Sequence, residues 1–401
     1  MARQYGSGSV YQRASDGKWA GIIEAGYTPT GGRRRLTVYG TDRKDAERKL
    51  RAKQREVTAE GMPSSSSATV KSWAEHWLQQ QQQEAKPKTW LGYRTTINRW
   101  VIPTIGHKRL DKISPIDVKA VGKAIRAAGL SSTTARQHQV VLIGCLRTAV
   151  SEGGHRINPS IFAMKAPAKA VNDRAAIATA DARALLTAAA AAPDGSRWIA
   201  ALLQGMRQGE CLGLTWSSID LDAGICDVSW QLQALPRITR GARSGPLRVP
   251  DGYDYRVLDG ALCLVRPKTA RGKRLIPLVP PMVAALRRWQ AIAPASPHGL
   301  VWPRPDGRPA KVKSDEAAWV ALQDTAQVAS VDGVLGRRYL LHEARHTCAT
   351  LLMQARVPES IRIAILGHST AAITRGYEHS SDEQTRQALQ SVAELLGIGG
   401  G

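Results

Sequence analysis

Residues 61–69 read GMPSSSSAT. Four serines in a row, opened by Gly and Pro, carry no hydrophobic period of either 2 or 3.6, so no packed element can pass through them. The chain therefore has to build its cores on either side, and 401 residues are enough for two or three. Upstream, YGSGSVYQ, KWAGIIEAGY and RRRLTVYG are short β-prone runs separated by SDGK and TPTGG. TDRKDAERKLRAKQREV follows as a charged helix, with Thr41 or Asp42 as its cap. Residues 1–60 thus read as a three-stranded sheet plus a helix, carrying the basic run Arg33, Arg34, Arg35 on one strand.

Downstream of the serines the pattern is helical. VKSWAEHWLQQQQQ places Trp73 and Trp77 four apart on one face, and KTWLGYRTTINRWVIPTIG is predicted to stop near Pro103. Two more amphipathic helices follow, and INPS at 157–160 closes an all-helical unit over 68–165. After a basic connector (165–177), a third unit spans 176–395. It is mainly helical, with strands at WSSIDLDAGICDVSW, ALCLVRP and RLIPL, a turn at KTARGK, and an irregular stretch over 241–259. The fold class expected is α+β and multidomain: a small three-stranded sheet with a helix, an all-helical domain, and a mainly helical domain with a small antiparallel sheet. The segment QTRQALQSVAELLG near the end is amphipathic and is expected to dock on a neighbouring protomer.

Charge narrows the function. The net charge is +23 and the pI about 10.2, a self-repulsion that a polyanion relieves, so nucleic acid is the first partner to consider and an anionic membrane surface the second. No apolar run reaches a membrane span, and MARQYGSGSV has no secretory apolar stretch. Cys145, Cys211, Cys226, Cys263 and Cys348 are scattered without a C-x-x-C, which suits reduced core thiols in a cytoplasm.

Four stretches carry chemistry: QGMRQGECLGLTW (204–216), RPKTARGKRLIPL (266–278), HEARHTCATLL (342–352) and LGHSTAAITRGYEHS (366–380). Singly, each has a plain structural reading, such as Arg207 paired with Glu210, a solvated lysine, a capping histidine or a half-buried tyrosine. As a set they do more. Arg207 and Arg345 are permanent cations whose planar forks match phosphate oxygens. His342 shares a helix face with Arg345, and His368 can donate to a further oxygen. Lys268 can protonate a leaving oxygen, and Tyr377 supplies a hydroxyl nucleophile. That inventory suffices for phosphodiester transesterification with no metal, and no nucleotide-binding G-x-x-x-x-G-K-[ST] loop is present.

In the order Arg207 with Glu210, Lys268, His342-x-x-Arg345, His368 after Leu-Gly, and Tyr377 nine residues on, the chain resembles the tyrosine recombinases of the phage integrase type. Gln204 stands where Thr is usual, Glu343 where Asp is commoner and Ala344 where Leu is commoner, and the stretch ahead of Lys268 is longer than usual. The resemblance implies a site-specific DNA recombinase that cuts and rejoins strands through a 3′-phosphotyrosyl intermediate, integrating or excising a mobile element in a bacterial cytoplasm. It implies an arm-type DNA-binding domain at 1–60 with Arg33, Arg34 and Arg35 on the DNA, a core-binding (SAM-like) domain at 68–165 and the catalytic domain at 176–395. It implies double-stranded core and arm attachment sites as partners, a homotetramer on DNA, no cofactor and no metal, with a DNA-bending protein and an excision factor left open.

Two other readings compete. HEARH at 342–346 matches the zinc-protease H-E-x-x-H, with Glu343 as base and His342 and His346 as ligands. No third ligand is marked, and that reading leaves Arg207, Lys268, Tyr377 and the charge without a role. Under the integrase resemblance His346 is a supporting residue that orients the arginine helix or sits in the core. A DNA-binding regulator that does not cut would explain the charge but has no use for the catalytic set.

Overall fold

A computed structural model of the chain describes residues 8–14, 16–27, 33–60, 68–170, 176–239, 241–242, 244–267, 273–328, 337–367 and 382–398. They form two compact units, one of residues 1–79 with 93–170 and the other of 80–92 with 171–401.

The first unit opens with the antiparallel sheet β1 (Ser9–Gln12), β2 (Trp19–Tyr27) and β3 (Arg33–Gly40), in the order β1-β2-β3. Helix α1 (Arg43–Glu60) packs on it through Ala46 and Leu50, which are buried along with Ala20 and Ile23. Asp42 is the cap: its carboxylate accepts from Asp45 N–H at 2.8 Å, and Asp45 accepts from Thr41 N–H at 3.2 Å.

Helices α2 (Val70–Glu84), α3 (Pro87–Thr95), α4 (Ile102–Ile105), α5 (Pro115–Ala127) and α6 (Ser132–Ser151) follow. Trp73, Trp77, Ile97, Trp100, Leu142 and Leu146 share one core, and the Trp73 indole donates to Cys145 O at 2.8 Å. The helical path ends at Ile105, near Pro103 as expected. A π-helical stretch, Thr96–Val101, precedes Pro103 and runs directly into α4. Its wider turn makes room for a ring that lacks an N–H and would clash with the carbonyl four residues back in a regular α-helix.

In the second unit, α7 (Thr179–Ala191), α8 (Ser196–Leu203) and α9 (Gln208–Leu212) lead into strands β4 (Ile219–Asp220), β5 (Ile225–Asp227), β6 (Gln231–Ala234), β7 (Tyr255–Asp259), β8 (Leu262–Val265) and β9 (Leu275–Pro277). Every residue of α8 is buried, so it is the central rod of this core. Helices α10 (Pro280–Gln290), α11 (Val312–Thr325), α12 (Leu341–Gln354), α13 (Glu359–Leu366) and α14 (Asp382–Leu395) complete the unit.

The strands form two small antiparallel sheets, β4-β5-β9 and β6-β8-β7. Strand β7 lies inside the stretch expected to be irregular; its residues alternate too weakly to stand out without their partner β8. Arg248, from the same stretch, is 2 % exposed and donates to Gln81 O at 3.0 Å, Ala85 O at 2.8 Å and Gln82 O.

Helix α14 departs from its expected role. Its apolar face, Ala388, Leu389, Val392 and Ala393, together with Leu396 just beyond it, is spent in the core of its own unit rather than offered to a neighbour. All five cysteines are buried and free. Among the described residues no helix is long and apolar enough to cross a membrane.

Candidate active site

Three arginines from three elements converge on the carboxyl end of α13. Arg274, just ahead of β9, donates through Nε to Ile365 O at 2.8 Å. Arg345, on α12, donates to Leu366 O and to Gly205 O. Arg207, at the start of α9, donates to Gly367 O at 3.3 Å. Three successive carbonyls, left without intrahelical partners by the helix end, thus each hold one guanidinium, and the negative end of the helix dipole favours all three. Gly367 turns the chain out of the helix at φ 61°, a left-handed C-cap.

Glu210 ties two of the arginines together. Its carboxylate accepts from Arg207 Nη1 at 2.7 Å and Arg207 N–H at 2.8 Å, and takes a two-pronged grip from Arg274 at 2.9 and 3.1 Å. It is 2 % exposed. Burial alone raises a carboxyl pKa, but the Arg274 hydrogen bonds and charge, with the Arg207 N–H and cation, outweigh it and hold Glu210 down at about 2. Arg345 feels the opposite balance. Burial first, then the Arg207 and Arg274 charges, push it down to about 9. Three guanidiniums with one carboxylate leave the pocket short of negative charge. Arg345 is buried, whereas the Arg207 side chain keeps 35 % of its surface open and can meet a ligand.

The local sequence builds this. Gly205 has φ 60°, and a Cβ there would stand 2.6 Å from Leu366 Cδ2, so only glycine lets α8 turn toward α9 against α13. Gln208 donates to Asp315 Oδ2 at 2.9 Å, pinning α9 to α11, and Arg197 pairs with the same aspartate at 2.8 Å.

On α12, His342 is exposed in the first turn, one turn before Arg345. Glu343 is 1 % exposed and fully committed: it accepts from Leu340 N–H at 2.7 Å and Arg337 at 2.8 Å. That removes the general base a protease would need. His346 is exposed, its ring edge-on to His342 at 4.8 Å, so it is not a core residue. Among the described residues no three His, Cys, Asp or Glu side chains could hold a metal ion.

The structure thus brings together Arg207, Glu210 and Arg345, with His342 on the Arg345 helix. Lys268, His368 and Tyr377 lie outside the described residues, as do the side chains of Arg33 and Arg34. Arg35 is exposed, 3.9 Å from Glu24. Strands β8 and β9, which flank Lys268 in the sequence, pair into different sheets.

Arg274 was missed by sequence reasoning. A signal existed: in RLIPL the alternation that buries Ile276 and exposes Leu275 puts Arg274 on the buried side, where a charge needs a partner.

Comparison with known proteins decides the family. The model for the phage integrase family matches residues 177–384, just over half the chain, and that for the phage integrase N-terminal SAM-like domain matches 69–121.

The chain belongs to the phage integrase family.

It is a tyrosine site-specific recombinase of the integrase kind. It is 24% identical to an integrase of Saccharopolyspora erythraea, covering 94% of each chain, and 24% identical to a putative prophage phiRv2 integrase of Mycobacterium tuberculosis, covering 95% of this chain and 94% of that one. Its fold is similar to that of the Tn1549 transposon integrase solved in complex with transposon right end DNA (TM-score 0.62, 20% identity, 81% of this chain and 99% of that one). It is similar also to a lambda integrase tetramer bound to a Holliday junction (TM-score 0.54, 17% identity, 95% and 99%). The lambda match spans the small N-terminal sheet as well.

Proposed function

We propose that the arginine pocket receives the scissile phosphate of double-stranded DNA. Arg207, helped by His342 and His368, holds the non-bridging oxygens, and the buried Arg345 adds its fixed positive charge behind them. The Tyr377 oxygen attacks phosphorus and forms the 3′-phosphotyrosyl bond as the bond to the 5′ oxygen breaks. Lys268 gives that leaving oxygen its proton. Fixed cations around the phosphorus stabilise the transition state, each preorganised donor contributing about a hundredfold or more. They also ease ionisation of a phenol whose ordinary pKa is about 10. Glu210, Arg274 and the α13 carbonyls set the geometry; His346 supports the helix from its exposed side.

The observation that carries this reading is the convergence of Arg207, Arg274 and Arg345, with a single carboxylate, on the residues immediately before His368. Such a cluster is a site for an anion.

Around this chemistry, residues 1–60 bind arm-type sites through Arg33, Arg34 and Arg35. Residues 68–165 bind core sites, and 176–395 cut. Four protomers assemble on two duplexes, each cutting one strand, to integrate or excise a mobile element in the bacterial cytoplasm. Relatives solved on core-site and junction DNA support that assembly. The test is a nicked attachment-site duplex that traps the covalent complex. Wild-type protein should accumulate it and Tyr377→Phe should form none; trapping by the phenylalanine variant would remove the reading.

A further inference from the structure

Outside the arginine pocket, a further pair of arginines is held in place by an aromatic ring. In the β6-β8-β7 sheet, Gln231 and Tyr255 both pair with Val265, so the residues one step beyond, Trp230, Arg266 and Asp254, fall in one row. Arg256 is two residues from Asp254 and lies on the same face. The guanidinium carbon of Arg266 is 3.7 Å from the centre of the Trp230 ring and that of Arg256 is 4.3 Å from it. The negative face of an indole attracts such cations. The two guanidiniums are therefore no more than about 8 Å apart on a half-buried ring.

Only part of this charge is spent inside the protein. Arg266 donates through Nε to Asp254 Oδ2 at 2.7 Å and through Nη1 to Ser229 O at 3.4 Å. Arg256 is exposed, and among the described residues its guanidinium has neither a hydrogen-bond nor an ion-pair partner. Two guanidiniums beside one carboxylate, the exposed Asp254, leave a surplus of positive charge. Like charges at this distance repel, so the stack holds together what charge alone would part. A stacked guanidinium keeps its planar edge free, and that edge matches a pair of phosphate oxygens. Cations already fixed in this way lose little freedom on meeting a ligand.

The stack also lies beside the pocket. Strand β6 runs against α9: a Cβ at Gly209 would stand 3.0 Å from Leu232 O and 3.7 Å from Gln231 Cβ. Gly209 is two residues from Arg207 and Trp230 is one from Gln231, so the backbones of Arg207 and Trp230 are no more than roughly 18 Å apart. Along one DNA strand a phosphate recurs about every 3.4 Å of helix axis, so that span covers about five of them. We propose that Trp230, Arg256 and Arg266 form a second phosphate site, which grips the DNA backbone a few nucleotides from the phosphate in the arginine pocket. This rests on the reading above that the pocket receives the scissile phosphate. The second site binds and does no chemistry. Arg256 and Arg266 hold phosphate oxygens, and Trp230 is a positioning residue that keeps both guanidiniums in place.

The experiment measures binding of the full chain to a core-site duplex and, separately, covalent-complex formation on the nicked duplex. Arg256→Ala, a change at an exposed side chain that leaves packing intact, should weaken binding about tenfold and lower the log–log salt slope by about one. The loss should fall on affinity and not on the rate at saturating protein. Trp230→Ala removes no charge, yet should weaken binding about threefold, and Trp230→Phe should restore most of it. Single phosphates near the cut are then replaced by neutral methylphosphonates. One position other than the scissile phosphate should weaken wild type and leave Arg256→Ala no weaker than before. An unchanged salt slope in Arg256→Ala, wild-type affinity in Trp230→Ala, or the lack of such a position overturns the site. The scissile phosphate should couple to Arg207→Ala in the same way. If that coupling is missing, the pocket reading fails; if it is present while the Arg256 coupling is missing, only the second site fails.

Discussion

The arginine pocket and the N-terminal sheet are both rich in cations, yet they hold them in opposite ways. Arg274 and Arg345 are buried, and every arginine of the pocket is tied to a carbonyl or to Glu210. On the N-terminal sheet, Arg35 is exposed and its nearest carboxylate, Glu24, is 3.9 Å away with both side chains about half in water. Arg13 and Arg43 lie over Tyr39 and Trp19 at 5.3 and 5.9 Å. A fixed, partly desolvated cation acts through geometry and keeps its strength in salt. An exposed one acts through the counterions it displaces, and salt screens it. The proposed catalysis needs the first kind, and the proposed arm-site binding would be served by the second.

The sharpest way to break this contrast is to unbalance the buried side. Arg274→Met leaves Glu210 charged, buried and held by Arg207 alone. Urea unfolding should show a loss of about 3–5 kcal/mol, the range for breaking one partner of a buried pair. A loss below 1 kcal/mol would mean the pocket is no more committed than the surface.

Arg207→Ala should be gentler on the fold, because Arg274 still neutralises Glu210. Its cost should appear in chemistry, as a fall of roughly 10²–10³ in covalent-complex formation on nicked DNA with affinity nearly intact. Acid should find the same carboxylate. Glu210 is held below its unfolded value of 4.5, so its stabilisation is complete above that pH and is lost as pH falls toward about 2. Urea midpoints of wild type should decline through that window, and those of Glu210→Gln should decline less.

The smallest effects belong to the N-terminal sheet. Arg35→Ala should change stability by no more than about 0.5 kcal/mol. Replacing Arg33, Arg34 and Arg35 together by alanine should flatten the salt dependence of arm-site binding by two to three in log–log slope while core-site cutting persists. An unchanged slope would move the arm contact off this strand.

Much of the fold was legible because local periodicity and punctuation wrote it. The three N-terminal strands, the Asp42 cap, the helices of both units and the buried cysteines lie where alternation, capping residues and amphipathic spacing put them. The misses share a cause. Strand β7 exists only against β8, and α14 folds onto its own unit because Leu389 and Val392 find partners there.

By itself, the sequence determined which chemistry was on offer: the order and spacing of arginines, histidines, lysine and tyrosine, on a chain of charge +23. Only the tertiary structure decided that Arg274 belongs with them, that Glu343 caps a helix and does not serve as a base, and that the carboxyl end of α13 is the common anchor. Those assignments turn on contacts between residues far apart in the chain, such as Arg207 with Gly367 and Arg274 with Glu210, and no local period encodes a partner at that distance.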